Sequence, residues 1–167
     1  MENKTSEEHK NNSPEKIYCG IITLSDSRNE KKDISGDYIE KQINERYELI
    51  SRTVIPDEKK ILEESIEKMI KEGAEVILTT GGTGISKRDI TVECVENLFD
   101  KKLDGFGEIF RYESYLEIGS SALISRATAG IYKNCCIFSM PGSPNAVKTA
   151  LRIIIEELPH AVHHAKK

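Results

Sequence analysis

The chain alternates short apolar runs with stretches in which apolar residues recur at helical spacing. Residues 17–24 (IYCGIITL) form the first apolar run and predict a strand, and residues 35–45 follow with Ile39 and Ile43 on one helical face. Residues 49–55 predict a second strand, stopped by Pro56. Asp57 is then placed to cap a helix in which Leu62, Ile66, Met69 and Ile70 follow helical spacing until Gly73 ends it. Residues 74–80 read as a buried strand. A glycine-rich loop, Gly81-Gly82-Thr83-Gly84, leads into a helix that opens near Thr91 and carries Val95 and Leu98. Residues 105–119 predict a helix with Phe106, Ile109, Phe110 and Leu116 as packing residues. Residues 135–140 predict a further strand, broken by Pro141-Gly142-Ser143-Pro144, and residues 146–158 a last helix with Val147, Leu151, Ile154, Ile155 and Leu158 inward. Strands alternating with helices imply an α/β fold with a mostly parallel sheet covered on both faces.

The pattern is absent before residue 17. Residues 1–16 (MENKTSEEHKNNSPEK) have no apolar side chain after Met1, so they are expected to form a disordered polar tail, with 17–167 as one domain. The 167 residues carry 24 Lys+Arg against 28 Asp+Glu, a net charge of −4. That balance gives no global attraction for nucleic acid or an anionic membrane, so any anionic ligand must be held locally. No apolar run is long enough to span a bilayer and the N-terminus lacks the apolar stretch of a signal peptide, which makes a cytoplasmic location the expectation. Cys19, Cys94, Cys135 and Cys136 show no CxxC spacing and are expected to be reduced, buried thiols; the adjacent pair points to opposite faces of a strand.

Open α/β sheets bind ligands outside the carboxyl ends of their strands. Asp26 follows the first predicted strand, Asp57 the second, and Gly81–Gly84 with Asp89 the third, while Pro141, Gly142 and Ser143 follow a later one. Glycines at such a loop let backbone N–H groups reach an anion, with Thr83 and Ser86 adding hydroxyls. The spacing is neither the dinucleotide fingerprint nor the P-loop, since Lys87 stands where a third glycine would fall. A single Asp after a strand serves as readily for a helix cap; three on one edge suit hard oxygen ligation of Mg²⁺ on a polyphosphate. Lys87 and Arg88 stand beside Asp89 for pairing with phosphate. His160, His163 and His164 fall at i, i+3 and i+4, a spacing that allows a shared metal, although a solvated helix end accounts for them equally.

The run TTGGTGISKRDIT at 79–91 resembles the MoaB/MogA family of molybdenum cofactor biosynthesis proteins, related to the pterin-adenylating domain of gephyrin. The likeness continues through Gly105-Phe106-Gly107-Glu108, Phe110-Arg111, Ile118-Gly119-Ser120, Ile124-Ser125-Arg126-Ala127 and Pro141-Gly142-Ser143-Pro144, covering 17–160. Asp104 before Gly-Phe-Gly, where the adenylating branch commonly has Pro, points to the MoaB branch. The resemblance implies a three-layer α/β/α sandwich that binds molybdopterin and joins it to the AMP part of Mg-ATP. By motif, Asp57 and Asp89 match the essential acidic residues and the Mg²⁺ ligands, acting through phosphates or water. Asp26, Gly81, Gly82, Thr83, Gly84, Pro141, Gly142 and Ser143 match the nucleotide and phosphate side, and Ser114, Ser125 and Arg126 the pterin side. It further implies a homo-oligomer, a trimer or a dimer of trimers, and contact with other cofactor-assembly proteins. The alternative is a non-catalytic molybdopterin-binding protein of the same fold. A carrier has no use for clustered magnesium-type ligands, and this favours the enzyme.

Deleting residues 1–15 is expected to leave the melting temperature and ligand binding unchanged, because that segment offers no apolar side chain to dock after Met1. Differential scanning calorimetry on the truncated chain checks this.

Overall fold

The computed structural model describes residues 16–25 and 33–167. Six strands form one sheet in the order β2-β1-β3-β6-β5-β4. They are β1 (Tyr18–Leu24), β2 (Glu48–Ile55), β3 (Val76–Thr80), β4 (Lys101–Lys102), β5 (Thr128–Tyr132) and β6 (Cys135–Met140). Strands β2, β1, β3 and β6 are parallel, whereas β5 runs antiparallel to β6 and β4 antiparallel to β5. The helices are α1 (Ile34–Asn44), α2 (Lys59–Lys71), α3 (Thr91–Leu98), α4 (Asp104–Ile118), α5 (Pro144–Ile154) and α6 (Leu158–Ala165), with a 3₁₀ helix at Gly119–Ile124.

Alternation along the strands divides the core in two. Cys19, Ile21, Val76, Leu78, Cys136 and Phe138 point to one face, where α1, α4, α5 and α6 cover them with residues such as Ile39, Phe110, Leu151 and Val162. Ile22, Ile77, Cys135 and Ile137 point to the other, under Leu62, Ile66 and Met69 of α2 and Cys94 and Val95 of α3. The result is three layers, helix on sheet on helix. The adjacent cysteines therefore enter different cores, as the strand pleat requires. All four cysteines are buried and free. Burial pushes the thiols of Cys19 and Cys136 up to about 12, with the Glu75 charge adding to it, and that of Cys94 up to about 11, so none is a reactive thiolate.

Several expectations are corrected. The predicted final helix breaks in two: Ile155 is the C-cap of α5, and α6 starts at Leu158 with Pro159 in its first turn. Ile109 and Leu116 do not pack inward from α4; both are exposed, while Phe106 and Phe110 are buried. Strands β4 and β5 lie where no strand was expected. The β5–β6 hairpin turns at Lys133-Asn134, both at positive φ (49° and 63°), which matches the twist that a two-residue hairpin needs. Asp57 does not cap α2, whose N-cap is Glu58 without a side-chain cap bond.

A polar cluster fixes α1 to the sheet. Asp33 is the N-cap, accepting from Gly36 N–H (2.8 Å), from the Thr23 hydroxyl (2.7 Å) and from Arg52 Nη2 (2.9 Å). Arg52, from β2, also pairs with Asp37 and Glu40. Burial alone would raise the Asp33 carboxyl; the bonds from Thr23, Gly36 and Arg52 outweigh it and hold it below the usual range. The charge on Asp33 therefore stabilises the fold above the unfolded carboxylate pKa, and this contribution is lost as pH falls below about 4. Asp33→Ala is expected to cost about 2 kcal/mol and to lower the melting temperature by roughly 4–8 °C. Asp33→Asn keeps a cap but not the charge, so its stability should lose less than the parent's between about pH 5 and 3, as chemical denaturation at each pH will show.

Candidate active site

The carboxyl ends of β3 and β6 lie side by side, and the chain leaves them in two turns that touch. Gly81 N–H donates to Met140 O (3.1 Å) and the Thr80 hydroxyl to Pro141 O (3.2 Å). Gly81 has φ +96°, and a Cβ there would lie 2.4 Å from Leu24 O. A Cβ on Gly142 would lie 3.3 Å from Gly81 Cα. Gly81 is thus held to glycine by the Leu24 carbonyl and its own positive φ, and a side chain at Gly142 would need the facing turn to give way slightly. The Ser35 hydroxyl at the start of α1 donates to Gly142 O (2.7 Å), tying the turn to the Asp33 cluster.

Above these turns opens a cavity of about 400 Å³. Its floor is Gly81, Gly82, Thr83 and Gly84 on one side and Pro141, Gly142 and Ser143 on the other. Ser143 caps α5, accepting from Ala146 N–H (3.3 Å), so the N-terminus of that helix faces the cavity as well. Loop and helix end together present backbone N–H groups suited to an anion. The opposite wall is apolar and hydroxylic, with Phe110 and Ser114 from α4 and Ala122, Ile124 and Ser125 from the 3₁₀ segment. Ser125 Oγ is buried with no hydrogen-bond partner among the described residues, a vacancy that a polar ligand group can satisfy.

Two carboxylates flank the glycine loop. Asp57 Oδ1 is shielded from solvent and lies 2.9 Å from where a Cβ on Gly82 would stand, so it reaches the loop only because that residue is glycine. Asp89 lines the cavity and is not the cap of α3, whose N-cap is Ile90. Its Oδ2 instead accepts from Ser86 N–H (2.8 Å). Hydrogen bonds from Ser86, side chain first, hold its carboxyl below the usual range against the opposing effect of burial, aided by Gly84 N–H and the Arg126 charge. Asp89 is therefore anionic at neutral pH. Among the described residues no three His, Cys, Asp or Glu side chains form a ready metal cluster. Of the two carboxylates only Asp89 lines the cavity, while Asp57 lies against Gly82; carboxylates so placed are the donor type Mg²⁺ takes, one or two of them with phosphate and water completing the shell.

The structure thus gathers Gly81–Gly84, Asp57, Asp89, Ser114, Ser125, Pro141, Gly142 and Ser143 at one edge of the sheet. Asp26 lies outside the described residues. Arg126 does not line the cavity: its Nε donates to Gly84 O (2.8 Å), its Nη2 to Asp89 O (3.4 Å), and its guanidinium pairs with Glu93. It braces the loop from behind. Ser121 and Ala122 were not singled out in the sequence, although the Ile118-Gly119-Ser120 run adjoins them; their place on the wall depends on the 3₁₀ helix that begins at Gly119. Of the C-terminal histidines, the His160 and His164 rings meet edge to face at 4.7 Å, and His160 Nδ1 faces Glu157 (3.3 Å).

Fold and cavity together define a doubly wound α/β protein with a glycine-floored pocket at the carboxyl ends of its strands, where sheets of this kind bind ligands. Residues 20–160 match the model of a family described as a probable molybdopterin binding domain, and the chain belongs to that family, in its MoaB branch. It is 44% identical over 167 residues to a molybdopterin adenylyltransferase of Pyrococcus furiosus, covering 96% of this chain and 98% of that protein. It is 42% identical to molybdenum cofactor biosynthesis protein B of Bacillus subtilis, covering 96% and 97%. The crystal structure of the tungsten cofactor synthesizing protein MoaB from Pyrococcus furiosus superposes with a TM-score of 0.88 at 43% identity, over 93% of this chain and all of that one.

Proposed function

We propose that this chain is a molybdopterin adenylyltransferase, joining molybdopterin to the AMP part of ATP and releasing pyrophosphate in the cytoplasm. The observation that carries the reading is the placement of Asp57 against Gly82 and of Asp89 against Gly84 of a glycine loop that shares one cavity with the capped N-terminus of α5. A pterin carrier without chemistry needs the hydroxyl wall but not the two carboxylates.

The nucleophile in this reading is the terminal phosphate of molybdopterin, a monoester with a second pKa of about 6 and therefore largely dianionic at pH 7. One of its oxygens bonds to the α-phosphorus of ATP, the bond from that phosphorus to the β-phosphate oxygen breaks, and pyrophosphate leaves with the electron pair. No strong general base is required. The chain must instead hold two repelling anions in line. The N–H groups of Gly82–Gly84 and the end of α5 face the phosphates, Ser114 and Ser125 face the pterin, and Arg126 keeps the loop and Asp89 in register. Asp57 and Asp89 are the residues to hold Mg²⁺, which when bound neutralises charge on the transferring and leaving phosphates.

We also assign the chain to a homo-oligomer, a trimer or a dimer of trimers. The support is an apolar strip on α4 and the 3₁₀ helix, where Ile109, Tyr112, Leu116, Ile118, Leu123 and Ile124 are all more than half exposed. Ile118 and Ile124 belong both to this strip and to the cavity wall.

Incubation of the purified protein with MgATP and anaerobically prepared molybdopterin is expected to yield adenylylated product by mass detection; its absence would overturn the reading. Asp89→Asn keeps an acceptor for Ser86 but not the charge, so turnover should fall about 100-fold or more while the chain stays folded with only a small drop in melting temperature. Near-normal turnover would show that Asp89 serves only the turn. Light scattering at micromolar concentration is expected to give the mass of three or six chains, and Leu123→Glu to reduce it by placing a charge in the strip.

A further inference from the structure

A second cavity, of about 430 Å³, lies behind the glycine loop. Asp89 lines both cavities and so forms their common wall. Their chemistry differs. The first is lined by backbone N–H groups, hydroxyls and apolar side chains. The second is walled by Ile85 and Ile90 and lined by Lys59, Lys87 and Arg126 with Ser86, and by the carboxylates of Asp89 and Glu93, the latter neutralised by Arg126. Of the three cations, Arg126 is committed to Glu93 and to Gly84 O. Lys87 makes no ion pair among the described residues, and Lys59, at the first position of α2, is held only loosely by Glu63 (3.8 Å). Two lysines are therefore available to an incoming anion.

We propose that this second cavity receives the pyrophosphate portion of the nucleoside triphosphate, gripped by Lys59 and Lys87. The proposal rests on the adenylyl-transfer reading of the first cavity. In-line displacement at phosphorus puts the attacking and leaving oxygens on opposite sides of the reacting atom. The attacking phosphate belongs to the ligand of the first cavity, so the leaving group must depart away from it. Asp89, which lines both cavities, stands beside the path of a triphosphate that reaches from one to the other. The bond that forms joins the molybdopterin phosphate oxygen to that phosphorus, and the bond that breaks frees pyrophosphate toward the lysines. The charges of Lys59 and Lys87 then oppose the one negative charge that develops on the pyrophosphate as the bond breaks, together with those its phosphates already carry.

The test is binding of inorganic pyrophosphate, with Mg²⁺, by isothermal titration calorimetry on the whole chain. Each lysine is exposed, so Lys59→Gln and Lys87→Gln should fold as the parent does, which the melting temperature verifies. The double variant is expected to bind pyrophosphate about tenfold more weakly while its dissociation constant for molybdopterin is unchanged. Unchanged pyrophosphate affinity in the double variant, or simple competition between pyrophosphate and molybdopterin for the parent, would overturn the proposal. The two readings fail separately. Product formation by the parent combined with lysine-independent pyrophosphate binding removes only the second cavity's role. Absence of product with lysine-dependent pyrophosphate binding removes the adenylyl-transfer reading and leaves an anion site.

Discussion

The site depends on the contact of two backbones where β3 and β6 end. Gly81 and Gly142 bring their turns to within van der Waals distance, a hydrogen bond from Gly81 N–H to Met140 O closes the gap, and the Thr80 hydroxyl seals it against Pro141 O. Side chains on these turns would hold them apart. Without that approach the glycine loop and the end of α5 would not share one cavity. The rest of the architecture serves to hold this junction still: the parallel register of β3 and β6 sets the two strand ends level, and Ser35 fastens the second turn to α1.

Around the junction the protein sets carboxylates, hydroxyls and cations on different walls. Carboxylates sit beside the glycine loop, hydroxyls and apolar groups on the α4 side, and lysines behind the loop. Arg126 is central to this arrangement although it faces no ligand in the first cavity. It is the residue after Ser125, so the wall that carries the buried hydroxyl and the loop that carries Asp89 are tied together by one guanidinium. The cation is spent on geometry, in keeping with the rigid fork that suits Arg for bidentate bracing.

The same economy appears at α1. Asp33 and Arg52 join helix, β1 and β2 through a single half-buried cluster, which keeps the start of α1 against the turn at Gly142. Such a cluster tolerates little loss, since removing one partner leaves the other charge desolvated.

What the sequence determined by itself was set by local chemistry. The apolar runs at β1, β3 and β6 have no alternative to burial, the glycine pattern at 81–84 and the Pro-Gly-Ser-Pro turn announce strand ends, and helical spacing places Leu62, Ile66 and Met69 inward. These features suffice to place the glycine loop and the Pro-Gly-Ser-Pro turn on one edge of a mostly parallel sheet. Tertiary structure alone decided what depends on distant neighbours. The short strand β5 is recognised by its pairing with β6, since its five residues carry too little periodicity of their own. Ile109 and Leu116 follow helical spacing as well as Phe106 does, yet they face outward, because periodicity gives a face without saying what lies against it. Asp57 and Asp89 each stood where a helix cap is expected, and only the folded chain turned them to the glycine loop. Arg126 likewise sits next to a cavity residue in sequence but points behind the wall, a direction fixed by Glu93 and Gly84 from elements more than thirty residues away.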